Sequence, residues 1–257
     1  MNRILNCKPS RDTHRDWTFA HARSAGVLTA RAALPRTVDL RAPWWKVGDQ
    51  LATGSCVGWA LADSVLRWHF TGAGKLDKKE LLSPRFIWMA AKETDQFETQ
   101  PTTFIETEGT SLKAALDIVR KFGAVTDDVL PFRSGKLYQD EAPTFYAMAA
   151  KLKIASYFNL GRNPEQWRTW LATAGPILTR LEVDDTWDNA LKTKGKLDVY
   201  HPATVRGGHA VSLVGYTESG FIVRNSWGTA AWGDRGFGYA SNAYAKEAFD
   251  EAYGVTL

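Results

Sequence analysis

The chain has 257 residues, of which 44% are hydrophobic and 23% charged, and its formal net charge is +4. This balance is typical of a globular protein with a sizeable core and excludes an intrinsically disordered chain. No run of about 18 apolar residues occurs, and charge follows the initial methionine too soon for a secretory signal peptide. The sequence therefore predicts no membrane insertion.

Residues 1–36 carry seven basic side chains against two acidic ones, a charge of +5, whereas the remainder of the chain is −1. The segment shows little hydrophobic periodicity, so we interpret residues 1–35 as an extended segment that wraps the body and is anchored by Trp17 and Phe19. Its charges are not dense enough to indicate nucleic-acid binding, and no nucleic-acid partner is expected.

The chain contains two cysteines, Cys7 and Cys56. They are too few for a disulfide framework, and although they could pair with each other, a reduced intracellular protein is the simpler interpretation. We expect a cytoplasmic protein, or one exported by a route that needs no signal peptide. Cys7 is expected to be a free thiol in a mobile arm.

The second cysteine follows a small-residue turn, Thr53-Gly54-Ser55. Ser55 is a good helix cap, so Cys56 is predicted to lie in the first turn of a helix. Apolar residues then occur on nearly all sides as far as Phe70, which is typical of a helix buried all round. A cysteine at a helix start beside an imidazolium can be a nucleophile, although an isolated cysteine is more often a small buried hydrophobe.

Further along the chain the helical pattern gives way to a β-rich one. Helices are predicted from Ser83-Pro84, after the Thr110-Ser111 cap and over residues 145–151, with a polar loop at 93–108. Strands are predicted at 154–160, 176–183, 210–216, 221–224 and 237–240, with one helix over 164–174. A helical first half and a β-rich second half indicate the α+β class.

One of five histidines and one asparagine stand at the two ends of a predicted hairpin. His209 follows two glycines at the mouth of the first strand, and Asn225 comes sixteen residues later, at the end of the second strand, in an Asn-Ser-Trp-Gly run. Each feature alone is more often structural. Together with Cys56 they indicate nucleophilic catalysis, which needs a nucleophile, a base and a group that orients the base.

In this order, over about residues 34–240, the motifs resemble the papain family of cysteine peptidases and look like its bacterial, disulfide-poor branch. The resemblance implies a two-lobe α+β fold, with a helical lobe around a buried central helix packed on an antiparallel β-barrel-like lobe. It also implies the following division: a wrapping or pro-like segment at 1–35, and a peptidase domain at 36–257 with lobes at about 36–150 and 151–240 and a tail at 241–257.

The resemblance assigns roles to five positions. Cys56 corresponds to the nucleophile, His209 to the catalytic histidine, and Asn225 to the asparagine that orients the imidazole. Gln50, six residues before the cysteine, corresponds to the glutamine of the oxyanion hole. Trp227 corresponds to the residue that covers the histidine–asparagine hydrogen bond from water.

The substrate cleft is less specified. Alignment of the helix that follows brings Gly109 and Thr110 near the place where the family grips the peptide backbone. Val57 follows the nucleophile where many members have tryptophan, so we expect the cleft to differ most there. The loop with Asp184, Asp185 and Trp187 could line the cleft or be solvated. Residues 1–35 are expected to interact with the cleft and obstruct it.

The predicted function is thiol-dependent endopeptidase hydrolysis of a peptide or protein substrate through an acyl-enzyme on Cys56. No cofactor and no metal are implied, since His69 and His201 stand alone in the sequence. Two alternatives remain open. One is another acyl transfer on the same fold, such as deamidation, isopeptide cleavage or transpeptidation; the other is a catalytically silent binding module.

Overall fold

A computed structural model describes residues 3–28, 33–94 and 107–257 of the chain. Its helices are α1 Phe19–Ser24, α2 Cys56–Trp59, α3 Arg67–Gly72, α4 Pro84–Thr94, α5 Leu112–Lys121, α6 Ala142–Ala149, α7 Pro164–Thr173 and α8 Asn242–Ala248. Its strands are β1 Val38–Asp39, β2 Ser156–Asn159, β3 Ile177–Val183, β4 Lys196–Leu197, β5 Gly207–Thr217, β6 Gly220–Arg224, β7 Phe237–Ser241 and β8 Phe249–Thr256. The predicted α+β class is confirmed.

The central helix spans residues 56–72 and joins α2 to α3 through a π-helical stretch, Ala60–Leu66. Every residue of that stretch is buried, as the sequence predicted. π-helical turns are uncommon and occur often at functional sites. Here the stretch contains two polar side chains that contact the sheet, Ser64 through the hydroxyl of Ser212 and Asp63 through the guanidinium of Arg224. The central helix is therefore joined to the sheet by polar contacts as well as by packing.

The eight strands form one sheet in the order β2-β8-β3-β5-β6-β7-β4, with β1 paired to β5. All pairs are antiparallel except β4 with β7. The sheet is not closed, because β2 and β4 lie at opposite ends of the order, so the expectation of a barrel-like lobe was too specific. Residues 249–256, expected to be part of a tail, form β8 between β2 and β3, since their apolar side chains are needed to complete the core.

The predicted hairpin joins β5 to β6. The strand β5 begins at Gly207, before the predicted start at 210, so His209 lies inside the strand and opposite Leu181 rather than ahead of it. The two preceding glycines also pair with β3, which a period-based reading of side chains could not anticipate because glycine carries none. The hairpin brings the end of β6 back beside His209.

Two hydrophobic cores meet at the site. One surrounds the central helix and includes Cys56 and Val57; the other covers the opposite side of the sheet and includes Trp187, Trp227 and Trp232. Val57 is fully buried in the first core. The position that was expected to alter the cleft therefore contributes to packing behind the cysteine.

The N-terminal segment is not wholly extended, because α1 forms within it. Phe19 is buried in the second core, as an anchor should be, whereas Trp17 is 60% exposed, with its ring tilted against that of Phe158 at a centroid distance of 5.9 Å. Most of the predicted polar loop, residues 95–106, lies outside the described residues. Among the helices of the described ranges, none has the length and apolar content needed to cross a bilayer.

Candidate active site

Cys56 is the first residue of α2 and is fully buried. Ser55 precedes it at the cap position, as predicted, but its hydroxyl does not cap the helix; it hydrogen-bonds the hydroxyl of Thr53 at 2.6 Å. The amide dipoles at a helix start favour an anion. The cysteine is thus placed where a thiolate is stabilised by the backbone.

His209 and Asn225 are joined by a hydrogen bond. Nε2 of the imidazole lies 2.8 Å from Oδ1 of Asn225, which also accepts the backbone N–H of Ser226 at 2.8 Å. An amide oxygen can only accept, so Nε2 carries the proton of the neutral ring and Nδ1 is the basic nitrogen. Nδ1 is buried and forms no other hydrogen bond, which leaves it to interact with the thiol of Cys56.

Three tryptophans surround this imidazole. The ring centroid of Trp227 lies 5.0 Å from that of His209, and Trp187 meets the imidazole edge-on at 5.6 Å. Trp232 stacks on Trp187 at 4.5 Å. All three are at least 94% buried, so water is excluded from the side of the imidazole that faces Asn225. Trp187, whose loop was expected either to line the cleft or to be solvated, is buried against the imidazole.

The pKa of Cys56 is lowered well below its ordinary value. The largest cause is a hydrogen bond with the thiol of Cys7, whereas burial raises the pKa. The hydrogen bond and the positive charge of His209 lower the pKa further, as does the backbone N–H of Ala210. The pKa of Cys7 is raised, first by burial and then by its hydrogen bond to Cys56. Cys56 is consequently the thiolate of the pair and Cys7 the donor.

Gln50 is fully buried and held at three points. Its backbone N–H donates to the carbonyl of Ser226 at 2.8 Å, its side-chain oxygen accepts the Ser226 hydroxyl at 2.7 Å, and its side-chain nitrogen donates to the carbonyl of Thr53 at 2.9 Å. An amide nitrogen carries two protons, so one remains for another acceptor. The three hydrogen bonds of Gln50 fix the direction in which this remaining N–H points.

A buried ion pair connects the central helix with the strand that leads to Asn225. The carboxylate of Asp63 lies 2.7 Å from the guanidinium of Arg224 and 3.2 Å from that of Arg67, and it also accepts the N–H of Gly48 at 3.3 Å. The side chains of Asp63 and Arg224 are 6% and 1% exposed. One carboxylate thus joins the helix of Cys56, the loop before Gln50 and the residue before Asn225.

Residues 6–8 of the N-terminal segment lie between β5 and the residues that precede α5. Cys7 donates its N–H to the carbonyl of Gly208 at 2.9 Å, and Lys8 donates to the carbonyl of Thr110 at 3.1 Å. A Cβ on Gly109 would come within 2.0 Å of the carbonyl of Asn6, so only glycine allows this approach. Residues 6–8 therefore contact both the start of β5, at Gly208, and the residues before α5, at Gly109 and Thr110.

Cys7 is 3% exposed, so the expectation of a free thiol in a mobile arm was half wrong. It is a free thiol, but it is buried against Cys56. Arg3 attaches the same segment by a 2.5 Å ion pair with Asp49 and by hydrogen bonds to the carbonyls of Leu51 and Trp227. Basic side chains of the segment thus find acidic and carbonyl partners on the body.

His201 was expected to have no other ligand-type side chain beside it, and this expectation was wrong. His201 Nδ1 lies 2.7 Å from the carboxylate of Asp185, and the neighbouring Asp184 brings three ligand-type side chains together. The carboxylate of Asp184 already accepts the hydroxyls of Thr186 and Tyr244 and the N–H of His201, at 2.7 to 2.8 Å. These bonds hold the turn that carries Trp187.

Sequence reasoning missed three contributors to the site: the thiol of Cys7, the Asp63–Arg224 pair, and the position of Trp187 beside His209. The only local signal for the second was an acidic residue in a helix predicted to be buried all round. The other two depend on contacts between segments more than 20 residues apart in a chain of 257, for which no pattern was available.

Comparisons with known proteins identify the family to which the chain is similar. The family model described as papain family cysteine protease matches residues 34–252. Cathepsin B-like CP3 of Giardia intestinalis is 28% identical over 204 residues, 75% of this chain and 62% of its own length; CP2 of the same organism is 26% identical over 227 residues, 82% of this chain and 70% of its own. The chain thus spans somewhat less than two thirds of the first relative.

Among solved structures, that of xylellain, a cysteine protease from Xylella fastidiosa, superposes with a TM-score of 0.79 at 21% identity, covering 100% of this chain and 97% of the other. At this identity the superposition shows a shared fold. The family model covers most of the chain, including the residues from Gln50 to Asn225. The chain belongs to the papain family of cysteine proteases.

Proposed function

We propose that the protein hydrolyses peptide bonds of peptide or protein substrates by thiol-dependent catalysis. The observation that carries the proposal is the placement of a buried thiolate, Cys56, beside an imidazole whose Nε2 is fixed by Asn225 at 2.8 Å. A nucleophile, a base and an orienting group in hydrogen-bond contact are the parts that acyl transfer requires.

In the first half of the reaction the thiolate of Cys56 attacks the scissile carbonyl carbon. His209, protonated at Nδ1, then donates its proton to the leaving amine as the acyl-enzyme forms. Asn225 keeps the ring in the orientation that directs Nδ1 to the sulfur. In the second half, neutral His209 removes a proton from water, which attacks the thioester and releases the acid.

The oxyanion that develops in both steps needs donors placed in advance. Two N–H groups are suited to this task. One is the second N–H of the Gln50 side chain, whose amide is held in place by Ser226 and Thr53, and the other is the backbone N–H of Cys56 at the start of a helix. Trp227 keeps the His209–Asn225 bond dry, which strengthens it.

Residues 3–8 obstruct this cleft in the full chain. Three sets of contacts support this obstruction: those of Arg3, the backbone hydrogen bonds of Cys7 and Lys8, and the close approach of Asn6 to Gly109. The same contacts indicate how a substrate is held, since a peptide backbone already occupies the groove between Gly109, Thr110 and Gly208. The segment is therefore a pro-like inhibitor, and substrate binding requires it to leave.

The activity is tested with an epoxysuccinyl thiol inhibitor and a library of short peptides. Two forms are compared: the full chain and a shortened chain that begins at Pro9 and so keeps Ser10, Phe19 and their contacts with the body. We expect labelling of Cys56 and peptide cleavage, both faster in the shortened chain. Cys56→Ala in either form is the matched control.

Two outcomes contradict the proposal. If neither form is labelled, or if Cys56→Ala is labelled equally, the thiol is not an activated nucleophile and the silent binding module is favoured. If labelling occurs but the library yields ammonia without chain cleavage, the reaction is deamidation. If the acyl part of a cleaved peptide is joined to the amine of a second peptide and no free acid appears, the reaction is transpeptidation. Equal rates for the full and shortened chains would remove the inhibitory role of residues 3–8 alone.

A further inference from the structure

Cys7 is held over the site by hydrogen bonds of its backbone. Its N–H donates to the carbonyl of Gly208, and its carbonyl accepts the guanidinium Nε of Arg180 at 3.0 Å. Arg180 is in turn held by ion pairs with Glu182 and Asp250. Both backbone polar groups of Cys7 are thus fixed by the β-rich side of the cleft, and the residue cannot slide along the groove without breaking them.

Two glycines allow this placement. A Cβ on Gly208 would lie 2.3 Å from the carbonyl oxygen of Cys7, and one on Gly207 would lie 2.4 Å from that of Leu5. Any side chain at these positions would push the segment away from the wall. The segment therefore passes directly in front of His209, with the side chain of Cys7 between that wall and the helix start.

The two sulfurs meet there. Both residues belong to the same buried cluster, and neither is in a disulfide. Their side-chain hydrogen bond is the largest cause of the lowered pKa of Cys56, and the Cys7 sulfur also lies 3.9 Å from the carbonyl oxygen of Lys8. They are the only cysteines of the chain. An oxidised catalytic sulfur would consequently have a single thiol as its immediate neighbour.

We propose that Cys7 is a resolving thiol and that Cys7 and Cys56 form a reversible disulfide when the protein meets hydrogen peroxide. The bond covalently locks residues 3–8 in the cleft, so the full chain becomes a redox-latched, inactive form. The proposal rests on the proposed function in taking Cys56 as the nucleophile of the peptidase.

The chemistry balances in two steps. The thiolate of Cys56 attacks one oxygen of hydrogen peroxide; the S–O bond forms, the O–O bond breaks, and the departing hydroxide takes up a proton to become water. The sulfur of Cys7 then attacks the sulfur of the sulfenic acid; the S–S bond forms, the S–O bond breaks, and hydroxide leaves with the proton of the Cys7 thiol as a second water. One peroxide is reduced as two thiols are oxidised to a disulfide.

The position of Cys7 also protects the site. A sulfenic acid that lacks a neighbouring thiol is oxidised further to sulfinic acid, which thiol reductants do not reverse. With Cys7 in contact, condensation competes with that reaction, and a dithiol reductant afterwards restores both thiols. The latch would thus keep the enzyme recoverable under oxidising conditions.

The test treats the reduced full chain with one equivalent of hydrogen peroxide and blocks remaining thiols with iodoacetamide in denaturant. We expect an intact mass lower by two hydrogen atoms, no alkylation, and a linked peptide pair containing Cys7 and Cys56. Dithiothreitol should restore two alkylatable thiols. Mass readouts do not require peptidase activity, so failure of the latch and failure of the proposed function are distinguishable.

The matched variant is Cys7→Ser, which removes the sulfur and keeps a hydroxyl of similar size. Both proteins are then treated with excess peroxide. We expect a second peroxide molecule to oxidise the sulfenic acid of Cys56 in the variant to sulfinic acid, which dithiothreitol does not reduce, whereas the wild-type chain recovers. Absence of the linked peptide in the wild-type chain would overturn the proposal, as would a disulfide between two copies or equal recovery of the two proteins. The wild-type result needs no variant and stands even if Cys7→Ser folds poorly.

Discussion

His209 and Cys7 both contact the sulfur of Cys56, and they are held in different ways. His209 lies within strand β5, is fully buried, and is fixed by Asn225 and by the rings of Trp187 and Trp227. Cys7 belongs to no helix or strand and is held by backbone bonds to Gly208 and Arg180. One neighbour is part of the folded body, whereas the other arrives on a segment that must leave.

The folded body therefore supplies the groups for catalysis, and the N-terminal segment supplies the groups that control access to Cys56. Groups supplied by the body are in place before substrate arrives, which is what preorganised catalysis requires. Groups supplied by the segment act on the same sulfur but can be removed without dismantling the sheet. Variants of the body should therefore reduce activity in the full and shortened chains alike, and variants of the segment should matter only in the full chain.

The largest effect is expected from His209→Ala. Loss of the general base and acid should lower kcat/KM for a peptide substrate by about 10²- to 10⁴-fold, in the shortened chain as in the full one. His201→Ala is the matched control, because that imidazole is exposed and bonded to Asp185. A loss below about tenfold for His209→Ala would contradict the assigned role.

Asp63→Ala tests whether the two halves of the body depend on their buried ion pair. Removal of the carboxylate leaves the guanidinium of Arg224 buried without its partner, so the free energy of unfolding should fall by about 3–5 kcal/mol, measured by urea denaturation. The control is Asp39→Ala, whose ion pair with Arg41 is half-exposed and should be worth under about 1 kcal/mol. Similar losses for the two variants would refute the structural role of Asp63.

Gln50→Ala should lower kcat by about 10²- to 10³-fold, because one oxyanion donor is lost. The rate of alkylation of Cys56 by iodoacetamide in the shortened chain, which forms no oxyanion, should change far less. Gln139→Ala, at an exposed position, is the control. If alkylation falls in parallel with hydrolysis, Gln50 positions the cysteine and does not serve as an oxyanion donor.

Cys7→Ala should raise the pKa of Cys56 in the full chain. The hydrogen bond from Cys7 is the largest cause of the lowered pKa, so its loss destabilises the thiolate, and the thiolate absorbance should appear at higher pH than in the wild-type chain. Cys7→Ser retains a donor and should give a smaller shift. If the thiolate absorbance of Cys7→Ala appears at the same or a lower pH, the body alone sets the pKa of Cys56.

The smallest effect is expected from Arg3→Ala. The ion pair of Arg3 with Asp49 is only partly buried, so its loss should loosen the segment by about 0.2–1 kcal/mol and raise the activity of the full chain by about 1.5- to 5-fold. A peptide assay checks this rate against that of the unchanged full chain. A decrease, or no change at all, would mean that Arg3 does not help to hold the segment in the cleft.

Much of the fold could be read from local patterns. The helix from Cys56, the helices beginning at Pro84 and Leu112, and the β5–β6 hairpin each follow from periodicity, a cap or a turn, which are local properties. The open sheet could not be read in this way. The position of β8 between β2 and β3 depends on long-range pairing, which leaves no mark on eight residues of sequence.

The sequence by itself determined which residues could carry the chemistry: Gln50, Cys56, His209 and Asn225 stand in an order and at spacings that few alternatives explain. Only the tertiary structure decided what else touches the sulfur of Cys56. Cys7 lies 49 positions earlier in the chain and was assigned to a mobile arm, because a lone thiol in a polar segment has no periodicity and no cap. Its burial arises from glycines and an arginine far along the chain, whose contacts exist only once the sheet has formed.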